Sequence, residues 1–315
     1  MATYPSNTFA TYAATGNRED LSDVIYLTDP YDTPFITGIP RTDATAVLHQ
    51  WQTQSLASAS STNFVGEGAD ATTDSTTATT GLSNTCGISD KVPRVSGTQQ
   101  AVVGAGRRDE LAYQVTLKTL ELRRDMESIL LANNAENTGG TTTAREPGGI
   151  EAWLNTNTDL GVGGSAGSLG NTARTNGTNR ALTEDLVKTV LKGCWDNGGD
   201  PDTIMVGSFN KQKISADITG NATKVIDAQT EKVVAGVDIY VSDFGQLNVI
   251  PNRFQTAEST LILQMDMFAT AYLRPVHIKD LALTGDSDRK QILAEYTLES
   301  RNEQASGAVF DCSTS

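Results

Sequence analysis

Residues 107–133 read RRDELAYQVTLKTLELRRDMESILLAN, the longest uninterrupted helical pattern in the chain. Leu111, Val115, Leu122, Met126 and Ile129 recur at spacings of three, four and seven, which places them on one stripe of a helix. Tyr113, Leu117 and Leu120 form a second stripe beside it, so the helix has to be covered on more than one side. Asp109 and Glu110 fall in the first turn, where negative charge suits the helix dipole. Arg123 and Arg124 stand four and three residues before Glu127, a spacing that predicts modest ion pairs. Asn133-Asn134 and then Gly139-Gly140 end the pattern. At about 1.5 Å per residue the predicted rod is on the order of 37 Å long.

Moving outward towards the N-terminus, residues 41–103 hold two strand-like segments, Val47 to Leu56 and Val92 to Val103. Between them runs a stretch rich in Ser, Thr, Ala, Gly and Asp, and no lysine or arginine occurs from Thr42 to Asp90. Read as a hairpin, each arm would reach tens of ångströms at about 3.3 Å per residue. Gln50, Gln52 and Gln54 share one side of the first segment, so such a hairpin has no apolar face of its own. It is either a disordered insertion or an arm ordered by a neighbouring copy. Residues 28–40, TDPYDTPFITGIP, carry three prolines and predict extended backbone. Residues 18–27 suit a short helix, and residues 1–17 a polar arm.

On the other side of the helix, residues 134–149 and 156–180 read as Gly/Thr-rich loops around a short structured piece at 149–155. Order then returns. A helix is predicted from Thr183 to Trp195, a buried strand at 201–206, and an amphipathic helix at 208–218 with Ser208 as its cap. Strands are predicted at 232–241, 246–251 and 261–273, and a closing hairpin at 276–283 and 291–300. In its last strand Ile292, Ala294, Tyr296 and Leu298 face one way, and Glu295, Thr297 and Glu299 the other.

Composition bounds the function. A net charge of −14 and a pI near 4.5 argue against binding nucleic acid by its phosphates and against anionic membrane surfaces. Cys86, Cys194 and Cys312 are odd in number and widely spaced, which is no disulfide framework and points to a reducing cytosol. No run reaches signal-peptide or transmembrane length. His49 and His277 are the two histidines, so neither a His-rich metal site nor a Cys/His zinc site is expected, and no cofactor is predicted. Residues 163–167, GGSAG, match the nucleophile pattern G-x-S-x-G around Ser165, with His277 downstream. The pattern carries chemistry only on a sharp strand-to-helix turn, and here it lies in loop sequence. Asp243-Phe244-Gly245 copies a kinase triplet without its companions and reads as a turn. The acidic residues at 67–74 and Asp286 and Asp288 lack calcium-loop spacing. The sequons at Asn176 and Asn221 matter only in a secreted protein. The reading is of a structural protein, not an enzyme.

Several motifs in order carry a resemblance: EDLSDVIY at 19–26 with DTPF at 32–35, NGGDPDTIMVGSFNKQK at 197–213, YVSDFGQLNVIPNRFQ at 240–255, and YLRP at 272–275 followed by TGDSDRKQILAEYTLE at 284–299. From about residue 18 onward the chain resembles the major capsid proteins of tailed bacteriophages. The resemblance implies the α+β Johnson-type capsid fold, which encapsulins and the floor of the herpesvirus shell also have. It implies an N-terminal arm at 1–40, an extended β-hairpin loop at 41–103, and a peripheral domain with its spine helix from 104–147 plus 276–315. The axial domain is then 148–275. The implied role is a head protein whose pentamers and hexamers close into an icosahedral shell around double-stranded DNA, held without sequence specificity. Its implied partners are other copies of itself, a portal, a scaffolding protein and any decoration protein, with no membrane. Its place is the virion, after synthesis and assembly in the host bacterial cytoplasm. Candidate intersubunit contacts are Trp51 and Phe64 in the loop, and Arg107, Arg108 and Glu110 at the start of the helix. Two departures stand out. The lysine that some relatives join to a neighbour's asparagine has no counterpart between 42 and 90, and about 17 residues precede the first motif, which predicts a separate scaffold. An encapsulin-like compartment and a tail or collar ring are the alternative readings.

Overall fold

The computed structural model describes residues 25–71, 76–102, 104–218, 226–227, 232–233 and 238–314. The helix predicted at 18–27 falls mostly outside these, and residues 25–27 are not helical. In chain order the elements are α1 (Pro34–Gly38), β1 (Arg41–Asp43), β2 (Leu48–Thr53), β3 (Thr80–Thr85), β4 (Gly87–Lys91), β5 (Arg94–Ser96), α2 (Gly97–Ala101), α3 (Glu110–Leu131), α4 (Ile150–Trp153) and β6 (Thr158–Asp159). They continue with α5 (Glu184–Asp196), β7 (Thr203–Val206), α6 (Ser208–Lys213), β8 (Ile226–Asp227), β9 (Lys232–Val233), β10 (Ile239–Ser242), β11 (Gly245–Pro251), β12 (Thr260–Leu263), β13 (Phe268–Asp280), β14 (Ser287–Ser300) and β15 (Gly307–Val309).

Helix α3 is the long one, 22 residues, or about 33 Å. Asp109 caps it by accepting the Ala112 N–H at 3.0 Å. Its C-terminal half is the buried half: Leu122, Met126, Leu130 and Leu131 pack on Ile292, Ala294, Tyr296 and Leu298 of β14. Leu111, Val115, Ile129 and the whole second stripe are only half-buried, so the expected cover is incomplete within one subunit. The predicted ion pairs to Glu127 do not form. Glu127 is fully buried and accepts the backbone N–H groups of Phe35 and Ile36, both at 2.8 Å, and Asn252 Nδ2 at 2.7 Å.

Residues 34–38 are not extended, because Pro34 occupies the first turn of α1, where its missing N–H costs nothing. Phe35, Ile36 and Ile39 are buried in the main core, so this part of the arm is held by its own chain.

Two sheets organise the rest. In the five-stranded sheet the order is β1-β13-β14-β4, with β5 on β14 beyond β4. In the six-stranded sheet it is β10-β11-β7-β12-β15-β6. Alternate residues of β7, β12 and β15 serve different cores: Met205, Leu261, Leu263 and Ala308 join the α3 core, whereas Ile204, Val206, Ile262 and Val309 pack under α5 on Val187, Val190, Leu191 and Cys194. A sheet covered on both faces requires strands that read as continuous apolar runs, as 203–206 and 260–263 do. The apolar stretch 261–273 is not one strand. A tight turn at Met265–Met267 divides it, sending β12 into one sheet and β13 into the other.

The single strand predicted over 92–103 is replaced at 94–101 by β5 and α2, because Ser96 caps α2 by accepting the Gln99 N–H, and residue 103 lies outside the described residues. Gly207, not Ser208, stands at the cap of α6. The polar face of β14 is buried too, with Glu295 only 3 % exposed between Arg145 and Arg274, each at 2.7 Å. Strand β15 (Gly307–Val309) pairs antiparallel with β12 in the six-stranded sheet.

Candidate assembly surface

The extended loop begins as a hairpin of β2 and β3, in register from Leu48↔Thr85 to Thr53↔Thr80. Its return strand therefore comes from the low-complexity stretch and not from 92–103, because Val95 and its neighbours pair with β14. Three side chains fasten its base. Trp51 Nε1 donates to the Ser300 carbonyl at 2.8 Å, and its ring lies 5.4 Å from that of Trp153. His49 Nε2 meets Glu299 at 3.1 Å, and Glu299 also receives Arg301 at 3.0 Å. Asn84 Nδ2 donates to the carbonyls of Gly148 and Leu298. Beyond Thr53 the described residues up to Thr79 are exposed, with Leu56, Phe64 and Val65 at 96 %, 88 % and 86 %.

The five candidate contact residues thus separate. Trp51 is engaged inside the subunit. Phe64 stands in the loop between β2 and β3 with its ring open to solvent. Arg107 pairs with Glu110 and lies 5.7 Å from the Tyr113 ring, so these two residues meet at the start of α3. Arg108 beside them is exposed. Leu56 and Val65 escaped the sequence reading although both are apolar residues in a polar stretch, and that mismatch was the available signal. A second apolar surface runs along α3, where Leu117 and Leu120 line a shallow groove with Leu27, Pro30 and Tyr31. A third lies at the far end of the six-stranded sheet. There Trp195 and Phe244 stand with ring centroids 5.6 Å apart, beside exposed Val241 and Ile239.

The chemistry-bearing motifs make no site. Ser165 is exposed, and its backbone exchanges hydrogen bonds with Thr175 in a tight loop that no helix follows. His277 lies on β13, its Nδ1 2.9 Å from the Pro275 carbonyl. Asp243-Phe244-Gly245 is the turn between β10 and β11. Burial pushes the three thiols up, Cys86 and Cys312 to about 11 and Cys194 to about 12. Among the described residues no group of His, Cys, Asp and Glu is placed to hold a metal ion, and no helix is long and apolar enough to cross a membrane. What remains is a set of apolar surfaces that a single subunit leaves uncovered.

The family model for the SU10 major capsid protein matches residues 5–313. The chain belongs to the SU10 major capsid protein family. It is 25 % identical to the major capsid protein of Escherichia phage Phieco32, across 96 % of each chain. Solved structures with the same fold include the capsid asymmetric unit of cyanophage A-1(L), at TM-score 0.67 and 13 % identity over 97 % of this chain and 99 % of that one. A Mycobacterium phage Cain structure follows at TM-score 0.61 and 12 % identity, over 96 % and 98 %. An encapsulin complex from Synechococcus elongatus has TM-score 0.56 and 10 % identity, over 95 % and 94 %. This SU10-family chain therefore has the tailed-phage capsid fold and is a structural protein of the virion shell.

Proposed function

We propose that this capsid protein assembles into pentamers and hexamers of an icosahedral shell, with each extended loop lying across the adjacent subunit. The observation that carries the reading is the loop itself. A hairpin anchored at its base by Trp51, His49 and Asn84 presents Leu56, Phe64 and Val65 to solvent, which a lone subunit has no reason to do. The start of α3, with exposed Arg108 beside the Arg107–Glu110 pair, would be a second place where neighbours meet. The shell would hold double-stranded DNA without gripping it, as the net charge of −14 suits a wall past which a polyanion has to move. A portal, a separate scaffolding protein and any decoration protein complete the set of partners, and assembly takes place in the host cytoplasm.

The test is deletion of residues 58–78, which leaves β2 and β3 whole. The expected product is a soluble subunit or small oligomer with unchanged circular dichroism and no shells by light scattering. Losing a few hundred Å² of apolar contact is worth several kcal/mol at about 25 cal/mol per Å² before ordering costs are counted. Shells of normal size and stability from the deletion variant would end the intersubunit-loop reading. An encapsulin-like compartment is the second reading, supported by the structural likeness alone. DNA in shells purified from infected cells, and none in the compartment case, separates the two.

A further inference from the structure

Between β2 and β3 the sequence holds a single aromatic residue, Phe64. Its ring is 88 % exposed, and at about 3.3 Å per residue the chain from Thr53 can carry it up to roughly 36 Å from the hairpin. On the same subunit, Leu27, Pro30, Tyr31, Leu117 and Leu120 line a groove of about 130 Å³ between the arm and α3. An apolar cavity of roughly 150 Å³ takes a benzene ring. The groove is therefore close to the size of one phenyl group, and its walls are the aliphatic and aromatic carbon on which such a group packs. Leu27 and Tyr31 on its arm side are exposed, so it too is apolar surface that a lone subunit leaves uncovered.

We propose that the Phe64 ring of one subunit seats in this groove on the next, between residues 27–31 and α3. The seat presupposes the intersubunit loop described above and is the place where that loop lands. Phe64 does not enter the groove of its own subunit, where its ring is open to solvent. Knob and hole stand on different surfaces of one chain, so the contact runs head to tail, and such a contact closes into a ring when its rotation allows. Leu56 is a poorer occupant, since it stands only three residues beyond the end of β2 and has no ring to match the groove.

Charge supports the same partner. No lysine or arginine occurs from Thr42 to Asp90, and Glu67 and Asp70 follow closely on Phe64. The charged lining of the groove is Asp29, Glu121 and Arg124. Lys118 holds Glu121 at 2.7 Å, which leaves Arg124, with Arg123 beside it in the chain, to meet the carboxylates of the loop. Asp29 opposes them, so the ring decides the fit and the charges orient the loop.

A double-mutant cycle on shell assembly tests the seat. Phe64→Ala and Leu120→Ala should each raise the subunit concentration needed for shells about tenfold, for the apolar contact removed. If the two side chains touch, the double variant is no worse than the poorer single one, because the second substitution finds the contact already gone. Separate sites would multiply the two losses. Both subunits should stay folded by circular dichroism when unassembled, and Leu117→Ala takes the place of Leu120→Ala if that subunit unfolds. Three results would each overturn the seat: multiplied losses, shells from Phe64→Ala at the wild-type concentration, or a lower unfolding temperature of the isolated Phe64→Ala subunit, which would put the ring in its own groove. Deletion of residues 58–78 separates this failure from that of the wider reading. No shells from the deletion together with multiplied losses removes the seat and keeps the intersubunit loop, whereas normal shells from the deletion remove both.

Discussion

Arg174 is 4 % exposed and fully engaged. Its guanidinium meets Glu151 at 2.8 Å, Asp311 at 3.1 Å and Asn176 at 2.9 Å, and lies 4.4 Å from the centre of the Phe310 ring. Ser259 Oγ donates to Glu151, and Asp311 accepts the Gly161 N–H, so each carboxylate has a second partner besides Arg174. Asp311 holds φ at 58°, a left-handed conformation that this network over-determines. Replacing Arg174 with Leu leaves two buried carboxylates unpaired, and the expected loss is about 3–5 kcal/mol in urea unfolding of the subunit. The cysteines give a second test. Their thiols are pushed from 9.0 to about 11, 12 and 11, so the folded state keeps protons that the unfolded chain has lost. Stability is therefore full below pH 9 and falls as pH rises through this range, by at most about 1.4 kcal/mol per pH unit for each thiol. Cys194→Ala should flatten part of that fall, and an equal slope in wild type and variant would contradict it.

Among the elements, α3 has two halves with different duties. Leu122, 1 % exposed, faces β14, and Leu122→Asp should abolish soluble folded subunit, since burying an unpaired carboxylate costs several kcal/mol. Leu117 is half-buried in the groove with Tyr31, and Leu117→Asp should leave thermal unfolding of the subunit within about 1 kcal/mol of wild type while lowering shell yield. Normal shells from Leu122→Asp, or a Leu117→Asp subunit that fails to fold, would reverse the assignment of the two faces. The outer edge of β13 past Tyr272 carries its own safeguard. Register shifts between Tyr272 and His277, with Pro275 among them, blunt an edge that would otherwise pair with another strand.

For the whole molecule, charge and shape act against each other. Subunits of net charge −14 repel one another, while their exposed apolar surfaces favour contact. Salt screens the first and leaves the second, since the Debye length falls from about 30 Å at 0.01 M to about 8 Å at 0.15 M. Shell formation followed by light scattering should accelerate over that range. Assembly that slows with salt would mean that ion pairs, not apolar surfaces, hold the neighbours together.

The sequence by itself determined the class and many of the parts: the long helix, a short apolar strand ending at Val206, the turn at Asp243-Phe244-Gly245, the closing hairpin, and the order of motifs that marks a capsid protein, but not the break that splits 261–273 between two sheets. These are legible because periodicity and turn chemistry are local properties of the chain. The tertiary structure decided what each polar residue in those parts does. Glu127 reads as a solvent-facing partner of Arg123, yet it is buried under α1. Glu295, Thr297 and Glu299 read as an outer face, yet loop 132–149 and the hairpin base cover them through Arg145 and His49. The return strand of the extended loop was hidden in TGLSNT, which has one large apolar residue, because its pairing with β2 and the anchoring of Asn84 come from residues far away in the chain. Long-range partners of this kind leave no periodic trace in sequence, since the donor that satisfies a buried acceptor can come from any distance along the chain.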